Sequence, residues 1–154
     1  MSRLYEKGAF MIGSQFRRSL CERSTRFPWH HWVRLAYFDA LTWGPGASGG
    51  GVKAAWRFSE YARTPQNRPL MALAYELQHM KDEAPMVFDK LSYGDYTVAA
   101  AFTTIQAAGG PVMLDDFFYG RKDASSVSEC NSLSNIPTAN NYVENLKEKG
   151  FTDE

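Results

Sequence analysis

Apolar residues recur along much of this chain at three- and four-residue spacing, the period of helices that turn one face to a core. In residues 29–43 (WHHWVRLAYFDALTW) the set is Val33, Ala36, Tyr37, Ala40 and Leu41. That stretch is predicted as a helix and as the centre of the fold, with Arg34 and Phe38 four apart on one side of it. Residues 8–23, with Phe10, Met11, Phe16, Leu20 and Cys21 among basic residues, are predicted as a helix before it. Leu70, Leu73, Ala74, Leu77 and Met80 line one face of a helix over 68–83, with Asn67 placed to cap it and Pro69 in its first turn. A further helix starts at 92–95 and runs to Ala108, rich enough in alanine to let neighbours approach closely. Tyr142, Val143 and Leu146 mark a last amphipathic helix over 140–149, closed by Gly150.

Between these lie breakers. Residues 44–51 (GPGASGGG) form a loop, and Gly109-Gly110-Pro111 stops the alanine-rich helix. Residues 52–63 have no clean period and are expected as a loop pinned by Trp56, Phe58 and Tyr61. Residues 112–140 read as long and irregular. No strand alternation, repeat or heptad is visible, so the predicted fold class is all-α, as one domain over 1–154.

Composition narrows the function classes. A 154-residue chain with 44% hydrophobic and 14% aromatic residues can bury a core, which excludes a disordered chain. Seventeen basic residues balance seventeen acidic ones, so the electrostatic footprint of a nucleic-acid binder is missing. The most apolar run, 96–108, is too short to span a bilayer. Arg3, Glu6 and Lys7 interrupt any apolar stretch at the start, so no signal peptide is visible there. Cys21 and Cys130 allow one bridge at most and are expected as free thiols. His30 and His31 diverge by about 100° around a helix and do not suit one ion, so no metal site is expected. The glycines at 49–51 follow no strand and are not a phosphate loop. Asp39 and Asp95 are expected as structural hydrogen-bonding groups.

Residues 34–40, RLAYFDA, resemble the distal-helix motif R-L-A-W-H-D-A of class I haem peroxidases, the ascorbate and cytochrome c peroxidase group. Further segments resemble the family's motifs in the family's order. Gly49-Gly50 with Arg57-Phe58 resembles G-G…R-F, and Asn67 stands at the family's asparagine. Leu91-Ser92-Tyr93-Gly94-Asp95 resembles V-S-Y-A-D. Gly109-Gly110-Pro111 through Gly120-Arg121-Lys122-Asp123 resembles G-G-P…G-R-x-D, and Ile136-Pro137 with Gly150-Phe151-Thr152-Asp153 resembles L-P and G-L-T-D.

The resemblance implies a distal site at Arg34, Tyr37, Phe38 and Asn67. Arg34 matches the arginine that stabilises developing charge on a peroxide, while Tyr37 replaces a tryptophan. Phe38 replaces the histidine that moves the proton, and a phenyl ring can neither accept nor donate one. The 154 residues stop before the family's proximal-histidine helix, and Arg26 stands where the family's ascorbate site has a lysine. The expectation is therefore a vestigial site with no catalytic residues and no haem. The chain is expected to be a non-catalytic, ascorbate-peroxidase-like subunit docked on a larger membrane-associated organellar complex. The place implied is a photosystem on the thylakoid-lumen side, or a mitochondrial complex. The alternative is a haem-binding peroxidase or haem sensor whose proximal half is supplied elsewhere.

Overall fold

The computed structural model describes residues 27–44, 50–83, 91–113, 117–130 and 141–151. The helix expected over 8–23, the partner thiol Cys21 and Arg26 lie outside them. The described residues are helical, with no strand among them: α1 Trp29–Ala40, α2 Ser59–Arg63, α3 Met71–Glu83, α4 Tyr93–Ala107 and α5 Tyr142–Glu148. Single 3-10 turns precede α2 (Ala55–Arg57) and α3 (Arg68–Leu70), and another spans Val127–Cys130. The all-α fold class is what the chain adopts.

The core forms where α1 lies along α4, the most extensive helix pair among the described residues. Ala99, Ala100 and Ala101 are buried there, and their short side chains let the backbones close up. α1 buries Trp32, Leu35, Phe38 and Asp39. The expected core face was a different one: Val33, Ala36, Tyr37 and Ala40 are only half-buried, so the helix is rotated relative to the sequence expectation. One buried position, Asp39, is charged, and apolar spacing cannot flag it.

Asp39 also decides how the chain leaves α1. Its carboxylate accepts backbone N–H bonds from Ala54 (2.7 Å) and Ala55 (2.9 Å), drawing the next segment back under the helix. The reversal requires glycine: at Gly50, with φ +92°, a Cβ would sit 2.2 Å from the Thr42 carbonyl oxygen. The segment over 52–63, expected as a pinned loop, is two short helical turns whose Trp56 and Tyr61 are buried. Trp56 Nε1 donates to Thr97 Oγ1 at 3.1 Å, fastening this segment to α4.

α4 starts as its sequence predicts: Ser92 Oγ accepts from Asp95 N at 2.9 Å. Asp123 adds a second cap, accepting from Tyr93 N and Gly94 N, both at 2.8 Å. The helix ends in a Schellman motif, with Gly110 N bonding to Ile105 O and Gly109 N to Gln106 O around a left-handed Gly109. α5 closes the same way: Phe151 N bonds to Leu146 O and Gly150 N to Lys147 O. Asn67 does not cap α3. It makes no side-chain cap bond, and a 3-10 turn intervenes.

Candidate functional site

The four residues singled out for the site divide into two environments. Arg34 and Tyr37 stand toward the outside of α1, exposed and half-buried, whereas Phe38 and Asn67 are buried. The guanidinium carbon of Arg34 lies 5.2 Å from the centre of the Phe38 ring, a cation–π contact. No carboxylate or carbonyl among the described residues holds it. Tyr37 leans on Phe38, with ring centres 5.9 Å apart. On its other side Tyr37 Oη donates to Tyr142 Oη of α5 at 2.5 Å. Burial, then the bond to Tyr142, pushes the Tyr37 phenol well above its ordinary range. Asn67 is fully buried, and neither its amide oxygen nor its nitrogen has a partner among the described residues.

Beside Tyr37 a cleft of about 360 Å³ opens between α1 and α5. Tyr37, Ala40, Leu41 and Trp43 form one wall; Leu146 and Phe151 form the other. It lies within the size range of small-ligand and cofactor sites. Lys149 closes one end, its Nζ donating to Leu41 O (2.6 Å) and Trp43 O (2.5 Å) at the carboxyl end of α1. A cation is the charge that a helix C-terminus favours. Sequence reasoning missed Tyr142 and Lys149, whose only signal is an amphipathic helix too far along the chain to be placed by pattern.

The largely apolar cleft between α1 and α5, with Arg34 on α1 but not in its lining, could seat part of an apolar cofactor. The described residues offer no ligand for a metal at its centre. His30 and His31 sit on the first turn of α1, and His79 pairs with Glu83 at 3.4 Å on α3. None of the three lines the cleft. The two carboxylates expected to be structural do hold the fold together. Asp39 seats Ala54 and Ala55, and Asp95 accepts from Gly120 N at 2.8 Å and pairs with Arg121 Nη1 at 2.8 Å. Cys130 is a buried free thiol.

Comparison with known proteins gives a consistent family. The sequence profile of the peroxidase family matches residues 14–154. L-ascorbate peroxidase 5, peroxisomal, from Arabidopsis thaliana is 30% identical over 115 residues, which is 75% of this chain and 38% of that protein. L-ascorbate peroxidase T, chloroplastic, from the same plant is 30% identical over 111 residues, 70% of this chain and 25% of that protein. The matched stretch thus spans between a quarter and two-fifths of these relatives. Two expectations are corrected. A non-enzyme without haem was expected, yet the relatives are enzymes and the family points to peroxidase activity and to haem. A stretch this short relative to its relatives does not bear on where an iron ligand lies, and Phe38 removes a proton carrier but leaves the arginine and the cleft.

Proposed function

Because this chain belongs to the peroxidase family, we propose that it forms the distal lobe of a haem-dependent peroxidase, as one helical domain over its 154 residues. A proximal lobe, in further sequence or another subunit, completes the site and supplies the iron's protein ligand. The observation that carries this is the face shared by α1 and α5. α5 has no buried residue, and Trp43, Tyr142, Val143 and Phe151 are 42–63% exposed around the apolar cleft. Contiguous exposed apolar surface is what a partner surface looks like, and Arg34 stands on the same helix.

Haem supplies the redox chemistry when bound; the chain's residues bind and orient. Tyr37 and the cleft walls offer the apolar face, and Arg34 is the cation that would stabilise charge developing on a bound peroxide. Phe38 leaves the proton-transfer role unfilled. Loss of a general acid–base costs roughly 10²–10⁴ in rate, so the expected activity is slow. The relatives' names suggest ascorbate as reductant, and their compartments, peroxisome and chloroplast, suggest an organelle; our reading is the thylakoid-lumen side of a chloroplast, with the mitochondrion as alternative. Among the described residues no helix is long and apolar enough to cross a membrane; in our reading the α1–α5 face is what docks on a membrane-associated complex.

Titrating with haemin the particle that the chain forms in native extracts tests the reading. A shifted Soret band that weakens in Arg34→Ala is expected, as is a particle larger than the 17.4 kDa chain in native extracts. A spectrum that stays that of free haemin sinks the cofactor assignment. A monodisperse native monomer sinks the docking.

A further inference from the structure

The α1–α5 contact contains an arrangement that the distal-lobe reading does not use. Tyr37 and Tyr142 come from helices far apart in sequence, yet the Tyr37 hydroxyl donates to the Tyr142 oxygen at 2.5 Å. Their ring centres are 6.3 Å apart, with planes inclined by only 32°. The two rings thus meet at their hydroxyl ends, where the ortho carbons that would couple also lie. Lys149 clamps α5 to α1 through the Leu41 and Trp43 carbonyls, and Leu146 packs on the core, so the pair is held rather than met by chance.

We propose that Tyr37 and Tyr142 are an intramolecular oxidative cross-linking site, forming a dityrosine that ties α5 covalently to α1.

The step balances as follows. Each phenol loses one electron and its hydroxyl proton to become a phenoxyl radical. The two radicals join through a carbon–carbon bond between ortho carbons. Each joined carbon then passes its hydrogen to its own ring oxygen, which restores both phenols. The net loss is two electrons and two protons, and one hydrogen peroxide accepts them to become two waters through a one-electron oxidant. The geometry serves each stage. Tyr142 is 42% exposed, so a proton released at the shared bond has a path to solvent. The Tyr37 phenol stays protonated at neutral pH, so electron and proton must leave together, and the Tyr142 oxygen stands ready as acceptor. Holding both reactive rings in place replaces a bimolecular encounter with a unimolecular one.

The full chain is treated with haemin and hydrogen peroxide and, separately, with a ruthenium photo-oxidant and persulfate. The photochemical arm needs no haem site, so failure to bind haem is told apart from failure of the cross-link. The expected product is a monomer lighter by two hydrogens, with dityrosine fluorescence and one joined peptide containing both Tyr37 and Tyr142. Tyr37→Phe and Tyr142→Phe each abolish it, while Tyr75→Phe does not. Fluorescence confined to dimers overturns the proposal. So does a joined peptide that maps to other tyrosines, such as the exposed Tyr75 and Tyr119, or undiminished monomer product in Tyr142→Phe. Peptide mapping of the wild-type chain decides the matter even if a variant folds poorly.

Discussion

Phe38 is the residue on which the proposed peroxide chemistry would turn. It is nearly buried and sits under Arg34, so Phe38→His places an acid–base group beside the arginine with only a modest change of volume. Peroxide turnover of the haem-loaded chain is expected to rise by roughly 10²–10⁴, and an unchanged rate would show that proton transfer is not what limits it. Asp39 sets a pH dependence. Burial pushes its carboxyl up to about 7 from 3.8, against the amide bonds from Ala54 and Ala55 that favour the charged form. The native state thus holds this proton more tightly than the unfolded chain. Its stabilising contribution is complete below 3.8 and fades as pH rises to about 7. Melting temperature should fall across that window, with a slope of at most about 1.4 kcal/mol per pH unit, and Asp39→Asn should flatten it. A melting temperature that climbs instead would refute the assignment. Asn67 shows where residue-level sequence reasoning stops. Its type and place promise a cap, but the sequence does not reveal that the side chain is sealed in the core without partners among the described residues. Replacing an unsatisfied buried amide with an apolar group of similar shape is neutral or stabilising, so Asn67→Leu should leave melting unchanged or raise it.

At the scale of elements, the glycine in α4 shows how closely the segment leading to the 3-10 turn at Ala55–Arg57 approaches that helix. A Cβ on Gly94 would come within 2.7 Å of the Val52 carbonyl oxygen, which is backbone and cannot swing away. Gly94→Ala should cost about 1–3 kcal/mol, read by chemical denaturation, although alanine is the better helix former. α3 and α4 were legible in the sequence because each has a single signal: an unbroken three-and-four spacing in one, a serine cap with a glycine stop in the other. α1 was legible in place but not in orientation. Half-buried alanines and a tyrosine imitate a core face, while the true face includes a carboxylate. Residues 52–63 stayed unread because Trp56 and Tyr61 are buried by contacts distant in sequence, which leave no local period.

For the whole molecule, the sequence carried the family through short ordered motifs, and the distal residues with it. What it could not carry was the pairing of α1 with α5, since nothing local in residues 140–151 says which helix they meet. The buried carboxylate of Asp95 and the half-buried Arg121 form another long-range tie. Asp95→Ala should cost on the order of 1–3 kcal/mol in unfolding measurements, because it leaves the Gly120 N–H without its acceptor while Arg121 keeps the Phe118 carbonyl. α5 is the opposite case. It buries no residue, and among its ties to the described residues are the Lys149 ammonium, the Tyr142 phenol and the partly buried Leu146. Such an element belongs to the part of a protein that opens first and at small free energy. Its amides should exchange with deuterium long before those of α4, and a protease should cut there before the rest of the fold yields. Detachment of α5 would unroof Tyr37 and the cleft while the core stays shut, so access to that face would follow the breathing of one short helix.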